Sequence, residues 1–186
     1  MGDIRAAIFV EGESDREALK VLARRRQLDL ATEGVAIVAM GGAHAIGRFL
    51  AAYGPKGLDV RLAGLYDAGE ASHVARALNV EGLADEASRA AAERAGFHVC
   101  DPDLEAELIR ALGADAVERV LVTEGDLGAF RTLQREPAWR ERSREDQLRR
   151  FMGSGARRKI RYGSLLVDAL DLRHVPAPLD AVLASV

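Results

Sequence analysis

One cysteine, Cys100, stands among 186 residues. A lone thiol cannot build an internal disulfide framework, so the fold must be held by its core, and a reducing cytoplasm is the expected compartment. Long apolar runs are missing as well. None approaches the roughly 20 residues of a membrane span, and no signal-peptide pattern opens the chain. There is no Gly-x-x-x-x-Gly-Lys-Ser/Thr, no complete dinucleotide fingerprint, no internal repeat and no low-complexity tract. His44 has no second histidine at ligand spacing, so it reads as a surface or packing residue.

What is present suffices for one sizeable core, at 48% hydrophobic, with room for an appended subdomain. Net charge is −3 but unevenly laid out. From Arg131 to Arg161 there are eleven Lys or Arg and four Asp or Glu, a local +7, which leaves −10 elsewhere. An acidic body with a basic C-terminal segment suits a metal site beside a phosphate-backbone surface. The segment also reads as a solvated helix, since Glu136, Glu141, Glu145 and Asp146 are interleaved with the bases.

Ala6 to Val10 is a short buried strand. Glu11 ends it, Gly12 turns the chain, and Ser14 with Glu17 forms a capping box that predicts a helix from Ser14 to Arg25. Glu11 then stands at a strand's carboxyl end with Asp15 in the first helical turn, the edge where open α/β sheets bind ligands. Two carboxylates so placed can hold a hard divalent cation. Each has an ordinary reading too: Asp15 favouring the helix N-terminus, Glu11 as a solvated loop acid.

The pattern recurs along the chain. Val35 to Met40 predicts a second strand, stopped by Gly41-Gly42 and followed by a helix from Ala43 to about Ala52. The glycines read as a plain turn, with phosphate approach to the backbone as the alternative. Val60 to Tyr66 predicts a third strand ending on Asp67-Ala68-Gly69-Glu70, then a helix from Ala71 to Leu78. After a helical stretch from Ala84 to Ala95, Phe97 to Cys100 is the fourth strand. Asp101 as N-cap and Pro102 at the first helical position open the next helix. There Leu104, Leu108 and Leu112 make the buried stripe, with Glu105 beside it. Beyond Gly113 the chain reads as helices over Ala114–Val122, Asp126–Arg135, Trp139–Phe151 and Arg157–Leu170, before a short apolar tail after Pro176 and Pro178.

Strands alternating with helices, then helices alone, predict an α/β fold: a four-stranded, mainly parallel sheet flanked by helices, with a C-terminal helical extension. Right-handed crossovers put all four strand ends on one rim. Glu11, Asp67 and the Asp101–Glu105 turn then converge from distant segments, which is the residue-level case for a metal site.

These residues also resemble a family. Val10-Glu11-Gly12-Glu13-Ser14-Asp15 with Ala18-Leu19 is similar to the glutamate motif of TOPRIM domains, the Rossmann-like fold shared by topoisomerases, primases and certain nucleases. The subgroup it most resembles is the OLD (overcoming lysogenization defect) family of endonucleases. Asp103-Leu104-Glu105 ahead of Leu108-Ile109 and Leu112-Gly113 resembles that subgroup's acidic-helix motif. Arg158-Lys159 ahead of Tyr162 and Leu165-Leu166 resembles its C-terminal lysine motif.

The resemblance implies a TOPRIM catalytic core over residues 1–125 and a basic helical extension over 126–186 packed on it. It implies a metal-dependent nuclease that cleaves or nicks DNA by two-metal catalysis. Glu11, Asp15 and Asp67 would hold Mg²⁺ or Mn²⁺, and Glu105 with Glu70 or Asp103 would complete a second site. Glu11 and Lys159 would be catalytic, Lys159 meeting the developing phosphate charge, while Arg157, Arg158 and Arg161 position the nucleic-acid backbone. Lys159 reads otherwise as an exposed lysine among arginines.

Two departures stand out. Asp67-Ala68-Gly69 has glycine where TOPRIM domains carry the second Asp of Asp-x-Asp, so either Glu70 substitutes or a ligand is missing. Family members also carry an ATPase domain ahead of the TOPRIM domain, which implies a standalone domain, an excised fragment, or half of a two-protein system. The implied partners are DNA, a separately encoded ABC-type ATPase and a second copy in a homodimer. A non-catalytic module binding DNA or an ATPase, and a TOPRIM nucleotidyl transferase, are the other readings.

Overall fold

The computed structural model describes residues 4–186. Its centre is an all-parallel sheet in the order β2-β1-β3-β4. The strands are β1 (Ala6–Val10), β2 (Val35–Ala39), β3 (Arg61–Asp67) and β4 (Phe97–Cys100). Around it, in chain order, are α1 (Glu13–Arg25), α2 (Ile46–Tyr53), α3 (Ala71–Val80), α4 (Arg89–Arg94) and α5 (Leu104–Leu112). Then come α6 (Ala114–Thr123), α7 (Leu127–Arg135), α8 (Arg144–Met152), α9 (Ala156–Ala169) and α10 (Ala177–Ala184). No helix among the described residues is long and apolar enough to cross a membrane.

Both faces of the sheet are covered, which is why β1 is apolar throughout rather than alternating. Ile8 and Val10 point into a cluster shared with α1 and the helices from α5 onward. Ala7 and Phe9 point the other way, against side chains of α2, α3 and α4. Phe130, Leu148, Phe151, Tyr162 and Leu166 belong to the first cluster, so the C-terminal helices share the core beneath α1. Gly163 lets α9 lie close on α1: a Cβ there would stand 3.3 Å from the Ser14 carbonyl oxygen. Arg25 locks the pair by donating to the carbonyls of Val167 (2.6 Å) and Leu170 (2.8 Å) at the C-terminal end of α9. Lys159 is thereby held one turn before the crossing.

Gly64 marks a second close approach. It pairs with Phe97 across β3 and β4, and a Cβ would stand 2.4 Å from that ring. Phe97 is fully buried and packs on Phe9 with ring centroids 6.5 Å apart, so it has nowhere to retreat. Gly64→Ala is expected to destabilise the fold by about 1–3 kcal/mol, the usual cost of overpacking, read as a lower urea midpoint at unchanged slope.

Several local expectations are corrected. Ser14 does not cap α1. The helix starts at Glu13 with Gly12 as N-cap, and Asp15 takes the reciprocal role by accepting from the Gly12 N–H. Asp101 and Pro102 lie outside α5, whose N-cap is Asp103, accepting from the Ala106 N–H at 2.9 Å. The helix expected from Trp139 begins only at Arg144, where Ser143 caps it. The stretch expected from Ala84 is helical only from Arg89, behind its cap Ser88. The apolar tail forms α10, with Leu179, Val182 and Leu183 buried.

Candidate metal and phosphate site

The rim at the carboxyl ends of the strands is where sequence-distant acids meet. Glu11 follows β1, and its Oε1 accepts the Asp67 N–H at 2.9 Å, so the first and third strand ends are tied directly. Behind it Asp15 is 7% exposed, with one oxygen held by the Gly12 N–H at 2.8 Å. Asp67 closes β3, and Glu70 ends the single 3-10 turn that leads into α3. From the other side α5 supplies Glu105, 4% exposed, and α9 brings Lys159 to 3.5 Å from its Oε2.

The electrostatics bind these groups into one field. Burial, then the charges of Glu11 and Asp15, push the Asp67 carboxyl up to about 7, against partial relief from Lys159. Burial also raises Glu11, with Asp15 and Glu70 adding to the effect and the Asp67 N–H opposing it. Asp15 is raised chiefly by burial, with Lys159 opposing. Glu105 is raised for the same reason, because its separation from Lys159 is too long to offset desolvation. Burial works against charging Lys159, yet Glu105, Asp15, Asp67 and Asp103 outweigh it and hold the ammonium above its ordinary value. One lysine facing this many carboxylates leaves the rim short of positive charge.

That deficit is the fit test for a cation, and the donor set passes it. The donors are carboxylate oxygens, which suit hard divalent ions. Glu105 Oε1 is buried without a hydrogen-bond partner, an arrangement that is costly unless something positive faces it. Among the described residues no three ligating side chains already stand at the spacing of a finished metal cage. Mg²⁺ does not need one: it keeps several waters and is usually held by one or two carboxylates plus substrate phosphates.

The remaining expected site residues fare differently. Asp103 caps α5 and its Oδ2 accepts from Arg149 Nε at 2.6 Å, so both oxygens are engaged away from an ion. Arg161 is tied to Glu124 and Asp126. Arg158 lies over the Phe151 ring at 4.4 Å and donates to Ser154, while Arg157 is exposed. His44 packs edge-on to His73 with ring centroids 4.8 Å apart. Two groups escaped the sequence reading: Arg149, which neutralises Asp103, and Trp139, which lines the same cavity as Glu105 and Lys159. Only the basic run through these positions hinted at them.

A parallel sheet whose strand ends present acids to a lysine from a late helix is the arrangement expected of a TOPRIM domain, a class that generally uses divalent metal ions. The family model "Overcoming lysogenization defect protein-like, TOPRIM domain" matches residues 4–68, the stretch that holds Glu11, Asp15 and Asp67. Over those residues, about a third of the chain, the sequence is similar to an OLD-like TOPRIM domain. Its whole length is similar in fold to the C-terminal region of the Burkholderia pseudomallei OLD protein, at 22% identity and TM-score 0.73 over 98% of this chain and 96% of that one. The C-terminal region of the Xanthomonas campestris pv. campestris OLD protein is similar at 25% identity and TM-score 0.74, over 97% and 91%. Nothing matches among curated protein sequences.

Proposed function

We propose that the protein is a divalent-metal-dependent nuclease that cleaves or nicks DNA at this rim. The observation that carries the reading is geometric: Glu11 and Asp67, at the ends of β1 and β3, are tied by a 2.9 Å hydrogen bond, with buried Asp15 behind them in the first turn of α1 and Lys159 brought in from α9 to 3.5 Å from buried Glu105. Glu11, Asp15 and Asp67 would hold Mg²⁺ or Mn²⁺, with Glu70 at the outer edge and Glu105 available to a second ion. When bound, such ions polarise the phosphate and lower the pKa of an attacking water. Glu11 is pre-aimed by the Asp67 N–H, which fixes its carboxylate before substrate arrives. Lys159, kept protonated by the acids around it, places a point charge where negative charge builds on the phosphorus oxygens. DNA and a separately encoded ATPase are the partners this reading calls for. A supercoiled-plasmid assay tests it: relaxation or linearisation with Mg²⁺ or Mn²⁺, none with chelator. An intact plasmid under every ion would set the reading aside.

Gly69 favours a second reading, a module that binds without cutting, because an acid is missing where TOPRIM domains place one. The site leaves room for it. A Cβ at Gly69 meets nothing within 4 Å, and the residue is exposed. Gly69→Asp is therefore expected to fold normally and to tighten Mn²⁺ binding by about tenfold, the scale on which single site residues act on metal affinity. Calorimetric titration reads this, and unchanged affinity would assign the missing role to Glu70.

A further inference from the structure

A cavity of about 490 Å³ opens beside the rim, lined by Glu105 and Lys159 together with Trp139, Arg142, Arg149 and Arg150. Its size is that of a ligand site. Trp139 is the only tryptophan in the chain and is half-buried. The Arg150 guanidinium carbon lies 5.7 Å from its ring centroid.

The loop that carries Trp139 is irregular, yet it is fixed from inside. Gln147, 5% exposed, donates through Nε2 to the carbonyls of Trp139 (2.8 Å) and Arg142 (3.3 Å). Its own Oε1 accepts from Gln134 Nε2 at 2.7 Å. A buried amide that holds a surface loop in one shape presents the indole ready-made, which lowers the ordering cost of binding.

The charges divide in a way that matters. Arg149 is taken by Asp103, and Lys159 faces Glu105. Among the described residues Arg142 and Arg150 form no ion pair, although Asp146 lines the same cavity. Two guanidinium groups without carboxylate partners, one of them already lying against an aromatic ring, is a combination that binds unpaired nucleotides: the ring's open face takes the base, the cations take phosphates.

We infer that this cavity is a subsite for one unpaired nucleobase next to the reacting phosphate. The indole of Trp139 stacks on the base, and Arg142 and Arg150 hold the adjoining phosphates. The following phosphate then falls beside Lys159, which lines the same cavity. A base inside a duplex is stacked and paired and cannot offer its face to an indole. The substrate class is thus single-stranded, frayed or nicked nucleic acid. This rests on the nuclease reading for what happens at the rim, but the subsite itself is tested by binding alone.

The single tryptophan is its own reporter. Titrating a short oligothymidylate into the full chain with chelator present is expected to quench Trp139 emission to saturation, while a blunt duplex of equal length leaves it nearly unchanged. An oligouridylate arm separates RNA from DNA, and quenching by either strand meets the expectation. By anisotropy of a labelled oligothymidylate, Trp139→Ala should bind roughly five- to a hundredfold more weakly, and Trp139→Phe should recover most of the affinity. If the alanine variant is unfolded by circular dichroism, the phenylalanine variant and the wild-type emission decide. Single strands that bind without changing emission, equal quenching by duplex, or a folded Trp139→Ala that binds like wild type would each overturn the subsite. Quenching together with an uncut plasmid would remove the nuclease reading and leave the subsite standing.

Discussion

Glu11→Gln is expected to lower metal-dependent plasmid cleavage by about a thousandfold or more, a loss of roughly 4 kcal/mol of transition-state stabilisation. The substitution is chosen for what it keeps. A glutamine oxygen can still accept the Asp67 N–H that Glu11 Oε1 accepts at 2.9 Å, so the tie between β1 and β3 survives. Only the charge is removed, and with it one source of the repulsion that burdens Asp67. The thermal midpoint should therefore stay level or rise while activity disappears. Glu11→Ala should be equally inactive but lose that hydrogen bond as well, worth about 1 kcal/mol. Parallel plasmid assays and melting curves on the two variants separate the catalytic from the structural role. Undiminished cleavage by either variant would remove Glu11 from the chemistry.

Metal-free stability should fall as pH rises from about 4 to about 7. Asp67 is pushed up to about 7 from an ordinary 3.8. Between those values the folded chain binds a proton that the unfolded chain has released. The stabilisation is complete below the unfolded pKa and is lost as pH passes the folded one. Allowing for solvent screening of a partly exposed group, the loss is on the order of 2 kcal/mol. Glu11, Asp15 and Glu105 are shifted in the same direction and steepen the slope. Glu17 and Glu118, which lysine and arginine pairing lowers, act in the opposite sense and offset part of the slope near its acid end. Mn²⁺ should reverse the trend at neutral pH, because it binds the ionised rim and adds about 2.7 kcal/mol at a hundredfold excess over Kd. Asp67→Asn should flatten both the pH slope and the Mn²⁺ response. Urea unfolding across this pH range, with and without Mn²⁺, measures all three effects.

The strands and the acids at their ends were legible because each central strand is buried on both faces. Such strands read as unbroken apolar runs, and an acid followed by glycine marks where burial stops, as at Glu11-Gly12. Helix starts were less legible, since several local signals compete for one turn. Ser14 and Glu17 formed a good capping box on paper, yet Asp15 reached back to the Gly12 N–H and set the start itself. Asp101-Pro102 looked like a helix opening two residues before the cap that formed at Asp103. What no local pattern carried was partnership across the chain. Arg149 neutralises Asp103 over 46 positions, and Gln147 fixes the Trp139 loop from beneath, contacts that exist only once α5, α8 and α9 are packed. The basic run announced positive charge but not which arginines were already committed. Arg161, expected on the nucleic acid, is held by Glu124 and Asp126, whereas Arg142 and Arg150 pair with no carboxylate among the described residues.

The most direct measurement is anomalous scattering from crystals grown with Mn²⁺. The expected result is a peak bounded by the carboxylates of Glu11, Asp15 and Asp67 on the strand-end rim. Absence of any peak there at saturating Mn²⁺, or density only at the exposed His44 and its neighbour His73, would contradict the assignment of these acids to metal.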